Sequence, residues 1–285
     1  EVCMSIGTVQ SLWCVKSLGG ISLAIIPKHE EIEEALDLFE SSLYSHREKY
    51  GEAHHLVGTA IHNIGMVHLY AQNYPQALKL FQEAVSVRRV ALGSDHPAIA
   101  ASLLKIGMIF LAQSNPEGAK EAFSRAMKVI RHSIGYDSLQ MARILTNMGV
   151  AHYEAGSNAD ALKFFNEAHD IQQKLLQMAD GENLFLQPQR RTIELALINT
   201  LCNIGYLQFR DKDFKDSFRS FEEASKLRKR PNCILGPDVY CLDENLSFVR
   251  EIVLQLAMGE ANEPESKRNI WGLDKFVEAI IAKIT

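Results

Sequence analysis

The sequence predicts an all-α solenoid, about five stacked helix pairs followed by C-terminal capping helices, and three observations carry that prediction. An alanine followed one helical turn later by a phenylalanine recurs at Ala35/Phe39, Ala77/Phe81, Ala119/Phe123 and Ala161/Phe165, always at the same 42-residue step. A fixed period of this size marks a repeat architecture. Two glycine landmarks keep the same period, Gly65, Gly107 and Gly149 inside the first helix of a unit, and Gly51, Gly93 and Gly135 at the end of the second. Hydrophobic content is 47% without alternating β-branched runs bounded by Asn-Gly turns, which points to buried helices instead of sheet. Each unit of such an array packs only on its neighbours, so the 285 residues are expected to form one elongated domain spanning 1–285.

Residues 5–50 read as a degenerate first unit, in which Gly19 stands one helical turn farther ahead of Ala35 than Gly65 and Gly107 stand ahead of Ala77 and Ala119. The extra length loosens the turn around Pro27. Its second helix, about 30–49, sets Ile32, Ala35, Leu36, Phe39 and Leu43 on one face, the spacing of a helix that buries a stripe. The second unit, 55–92, pairs helices at about 55–71 and 75–91. Asn73-Tyr74-Pro75 turns the chain between them, with Pro75 in the first turn of the new helix, where no backbone donor is lost. Gly65, Ala77 and Ala84 are small because helices crossing ~8–10 Å apart leave no room for bulk, and Phe81 fills the space beside them. The joint Leu92-Gly93-Ser94-Asp95-His96-Pro97 predicts a glycine C-cap, an N-cap from Asp95 or Ser94, and a first-turn proline.

The third unit, 97–134, places Lys105 where its neighbours have Asn63, Asn147 and Asn203; the fourth, 138–178, restores Asn147-Met148-Gly149. An insertion at 178–192 follows. It combines loop residues (Asp180-Gly181-Glu182-Asn183, Pro188) with the apolar Leu184, Phe185 and Leu186, which suits either a surface insertion folded back on the array or a flap. The fifth unit, 190–230, keeps the internal spacing of Gly205, Ser217, Phe221 and Ala224, but the insertion delays it, so that Phe221 follows Phe165 by more than one period. Leu235-Gly236-Pro237-Asp238 echoes the joint, and helices within 237–285 are read as the cap that covers the last apolar face.

Composition narrows the function. The five cysteines, Cys3, Cys14, Cys202, Cys233 and Cys241, have no C-x-x-C spacing, which argues against a disulfide framework and a zinc site and for a reducing, cytoplasmic compartment. A net charge of -5 gives no footprint for nucleic acid. No window reaches the ~18 uncharged apolar residues that membrane insertion needs; residues 4–26 come nearest and read as a buried first helix. No P-loop, G-x-G-x-x-G, G-x-S-x-G or H-E-x-x-H is present, so no catalytic residue, metal ligand or cofactor is assigned. His54, His55, His62 and His68 read as ordinary repeat histidines, and Cys202 as an unreactive thiol lacking a basic neighbour at helical spacing.

The Asn-Ile-Gly, Tyr-x-x-Ala-x-x-x-Phe-x-x-Ala and Leu-Gly-Ser-Asp-His-Pro elements resemble tetratricopeptide repeats, specifically the 42-residue kind of kinesin light chains, over about 30–230. The ordinary unit is 34 residues. The full Asp-His-Pro occurs once, with Glu52-Ala53-His54 and Asp137-Ser138-Leu139 in the corresponding places, and no dimerising heptad segment is seen. The resemblance implies a right-handed α-α superhelix whose first helices line a concave groove. Carried over residue by residue, the peptide-binding groove is Thr59, His62, Asn63 and Met66; Leu104, Lys105 and Met108, with Ala101; Arg143, Thr146 and Asn147, with Val150; Asn199, Asn203, Tyr206 and Arg210, with Cys202. Asparagine suits such a groove because its amide both donates to and accepts from an extended backbone. Lys105, Arg143 and Arg210 would favour an acidic peptide or a terminal carboxylate, although Glu154 lies in the same set.

The function these residues imply is a non-catalytic scaffold or adaptor holding a short extended peptide, with kinesin heavy chain or cargo as partners if the resemblance extends so far. The alternative is the regulatory repeat domain of a larger enzyme or signalling ATPase. A chain beginning at Glu1 instead of Met keeps that alternative open.

Overall fold

The computed structural model describes residues 29–180 and 189–228. Among them lie nine α-helices and no strand: α1 (His29–Tyr50), α2 (His55–Tyr70), α3 (Tyr74–Leu92), α4 (Pro97–Ala112), α5 (Pro116–Ser133), α6 (Leu139–Glu154), α7 (Asn158–Asp180), α8 (Arg190–Arg210) and α9 (Phe214–Arg228). The fold is the all-α helical repeat that the 42-residue period predicts. The first helix of the degenerate first unit, residues 181–188 of the insertion, and the cap at 237–285 lie outside the described residues.

Ala24–Gly156 form one compact unit, which holds α1 to α6, and a second begins at Ser157 and holds α7 to α9. Within the first, each helix packs on the next in chain order, and α4 also meets α6. Within the second, α8 packs on both α7 and α9.

The small and large residues of the repeat meet as their spacing requires. Phe81, Phe123 and Phe221 are completely buried against the glycine in the first helix of their own pair. A Cβ at Gly65 or Gly205 would sit 3.1 Å from the Phe81 or Phe221 ring, and one at Gly107 would overlap the Phe123 ring outright. Ala77 and Ala119 are also fully buried. In the fifth pair their place is taken by Ser217, whose hydroxyl donates to the Gly205 carbonyl at 2.7 Å, so the polar substitution ties the two helices together.

The turns between paired helices share one left-handed residue, at Gln72 (φ 59), Ser114 (φ 54), Gly156 (φ 80) and Lys212 (φ 64). The next amide then reaches back over the helix end, Asn73 to the His68 carbonyl, Asn115 to Phe110 and Asp213 to Gln208, each at 2.8 Å, the long closure of a Schellman motif.

The joints between pairs differ from expectation in one respect. Gly93 ends α3 with φ 87 and Pro97 opens α4, as predicted, but the N-cap is His96, not Asp95 or Ser94: its Nδ1 accepts from the Ala98 amide at 3.2 Å. His54 caps α2 in the same way, accepting from Leu56 at 3.3 Å. Ser138 caps α6 through its hydroxyl, which accepts from Met141 at 3.2 Å. The three caps recur at the repeat period. The last residue with extended backbone at that register is the one just ahead of the first helical position, and it therefore fills the cap whatever its side chain.

Candidate functional site

The stripe implied by the resemblance lies on α2, α4 and α6 of the first compact unit and on α8 of the second. Thr59 and Arg210 are exposed; Asn63, Met108, Arg143, Thr146, Asn147, Asn199 and Asn203 are half-buried. His62, Met66, Leu104, Lys105 and Tyr206 are buried. Ala101 is exposed, Val150 half-buried and Cys202 buried.

The hydroxyls of this stripe are satisfied locally. Thr59 and Thr146 each donate to the carbonyl four residues back, His55 and Ala142, at 3.0 Å, a bond common for threonine inside a helix. The asparagines behave differently. Asn147 donates from Nδ2 to the Arg143 carbonyl at 2.7 Å, which leaves a second N–H and the Oδ1 acceptor. Among the described residues no hydrogen bond engages the side-chain amides of Asn63, Asn199 or Asn203. None of these amides is among the buried polar atoms that lack a partner, so they face solvent with their hydrogen-bonding groups available.

A second feature was not read from the sequence. Arg88, near the end of α3, is buried, and its Nη1 donates to the Ala98 carbonyl at 2.7 Å and to Ser102 Oγ at 2.8 Å. Ser102 Oγ lies 3.0 Å from His62 Nδ1, and the His62 ring meets Phe81 edge-on at 5.1 Å. Burial, with Arg88 and Lys105 nearby, holds His62 well below the usual imidazole range. The Ser102 oxygen accepts from Arg88 and shares a further hydrogen bond with Nδ1 of the neutral His62, whose direction the imidazole tautomer sets. Burial pushes Arg88 down to about 10, and its Nε is buried without a partner. Gly58 makes the room, since a Cβ there would lie 2.8 Å from Arg88 Cγ.

One period on, the residues in register with Gly58, His62, Arg88 and Ser102 are Ala100, Leu104, Ile130 and Ile144, all buried. The same junction is thus polar once and apolar once. The signal was present in the sequence as an arginine in the register of a core isoleucine.

Elsewhere, burial pushes the Cys202 thiol up to about 12 against the opposing charge of Arg228, which keeps it protonated and unreactive. Burial likewise raises the half-buried Glu154 to about 7. Among the described residues no cluster of three or more histidine, cysteine or acidic side chains could hold a metal ion. No described helix is long and apolar enough to cross a membrane.

Comparison with known proteins places the geometry in a family. The family model described as tetratricopeptide repeat matches residues 29–89, 56–131 and 99–174. No curated protein sequence matches the chain. Among solved structures, BtubC (BKLC) from P. vanneervenii is similar with a TM-score of 0.59 at 17% identity, over 73% of this chain and 80% of that one. The nearly identical TPR-like repeats of a kinesin light chain type protein from Podosopora anserina are similar in a point-variant form with a TM-score of 0.54 at 13% identity, over 70% of this chain and 88% of that one. Another structure of those repeats gives 0.53 at 13% identity, over 70% and 89%. At these identities the likeness is one of fold. The overlapping matches span 29–174 without a gap, more than half of the chain, so the chain belongs to the tetratricopeptide repeat family.

Proposed function

We propose that this chain is a non-catalytic scaffold or adaptor that holds a short extended peptide along its first helices, in the manner of the cargo-binding part of a kinesin light chain. Tetratricopeptide repeats are protein-interaction modules, and the single observation that carries the finer reading is the set of asparagine amides. Asn63 and Asn147, on α2 and α6 of one compact unit, occupy the same register, stay half-buried and keep hydrogen-bonding capacity that no described residue uses. An extended peptide backbone supplies the missing donors and acceptors at regular spacing. Arg143 on the same helix face as Asn147 favours an acidic partner, and cargo or a kinesin heavy chain is the kind of protein this reading assigns.

The test is titration of a partner peptide against single variants. Asn147→Ala removes one neutral hydrogen bond and should weaken binding about 5- to 10-fold, with Arg143→Glu weakening an acidic peptide further. Lys105 is too buried for charge reversal to be clean. Helicity and melting should be unchanged in both variants, because the altered groups lie at the half-exposed rim. Wild-type affinity in both variants rules the first helices out as the binding face.

A further inference from the structure

The joints ahead of α2 and α4 are fastened by imidazoles acting as acceptors. In each, the histidine Nδ1 takes the amide two residues on, Leu56 at 3.3 Å and Ala98 at 3.2 Å, while its carbonyl closes the first backbone turn from Gly58 or Ile99. An imidazole can accept at Nδ1 only when that nitrogen carries no proton. Protonation therefore does two things at once: it replaces the acceptor by a donor pointing at a donor, and it places a cation at the positive end of a helix. Neither α2 nor α4 has an acidic residue in its first turn to offset that charge.

The surroundings reinforce this. At the first joint the His54 ring stacks on Tyr50 at 4.4 Å and meets His55 at 4.4 Å, and Lys49 Nζ lies over the Tyr50 ring at 5.1 Å. The His46 ring lies 6.1 Å from that of Tyr50, and the nearby carboxylates Glu52 and Glu83 are both paired with Arg47. Partial burial, then His55 and His46, hold His54 below the ordinary imidazole value. The equivalent joint ahead of α6 uses the hydroxyl of Ser138, which does not titrate.

We propose that the joint before the second unit is a proton-sensitive fastening, firm while His54 is neutral and loosened when it takes up a proton, with the Ser138 joint unaffected. For His54 the sign follows from linkage: the folded joint favours the neutral ring, so the unfolded chain binds more protons. The stabilisation is fully present above the free imidazole value of ~6.5 and is lost as pH falls toward the lower folded value.

Two measurements on the whole chain test it. Nitrogen NMR of the neutral ring should show the Nε2–H tautomer at His54. Melting of the wild type should be compared with the His54→Asn variant, in which a good N-cap that does not titrate replaces the imidazole. Between pH 7.5 and 5.5 the wild type should lose about 2–4 °C more than the variant. An Nδ1–H tautomer at His54, or a variant that tracks the wild type across that range, overturns the proposal.

Discussion

Gly107 shows how much one hydrogen atom in place of a side chain decides. The Phe123 ring occupies the space that a Cβ would need, whereas at Gly65 and Gly205 the facing ring stands 3.1 Å away. Alanine normally favours a helix by about 1 kcal/mol over glycine, so the three positions separate propensity from packing. Gly107→Ala should be destabilising by roughly 1–3 kcal/mol, because the fully buried Phe123 must leave its position. Gly65→Ala should lie near neutrality, the gain in propensity offsetting a displacement of a few tenths of an ångström. Urea unfolding of the two variants checks this, and equal losses would contradict the packing account.

At the scale of elements, the junction of α2, α3 and α4 is where the repeat departs from its own rule. His62, Arg88 and Ser102 form a buried hydrogen-bonded chain at positions that one period later are Leu104, Ile130 and Ile144. Buried ionic networks are weak evidence for stability, since replacing the whole set by well-packed apolar residues is often neutral or stabilising by about 1–4 kcal/mol. Breaking one link is another matter. Ser102→Ala leaves Arg88 Nη1 and His62 Nδ1 each short of a partner and should cost about 1–3 kcal/mol. The combined Gly58→Ala, His62→Leu, Arg88→Ile and Ser102→Ile variant, copying the next junction, should equal or exceed the wild type. Chemical denaturation of both variants decides, and a combined variant weaker than Ser102→Ala would show that the polar chain carries stability of its own.

For the whole molecule the relevant quantity is the distribution of charge, not its sum. The net charge of -5 by itself repels an acidic partner, while Arg143 on the stripe would attract one locally. If the partner is acidic, the attraction acts over about a Debye length, ~8 Å at physiological salt, and falls as ionic strength rises. Association with an acidic peptide should therefore slow measurably between 50 and 500 mM salt, on the order of tenfold, and dissociation should change little. Stopped-flow binding reads the two rates separately. An association rate independent of salt would assign recognition to the asparagine amides and apolar contacts alone.

The sequence by itself determined the repeat, the class of fold and most helix boundaries. The regular spacing of Ala, Phe and Gly and the Asn-Tyr-Pro and Gly-x-x-His-Pro punctuation are local signals, and α2 and α3 begin and end within a residue or two of where those signals place them. It also marked which positions had to be small. The tertiary structure alone decided the identity of the N-caps and the fate of individual polar side chains. Asp95 and Ser94 have cap chemistry as good as that of His96, and only the backbone path past Gly93 chose among them. His62 neighbours Asn63 on α2 and Lys105 stands in the register of Asn63 and Asn147, yet both are buried. The surroundings of His62 are set by Arg88 and Ser102, which reach it from α3 and α4. Burial depends on what arrives from elsewhere in the chain, and a period counted along one helix carries no information about that.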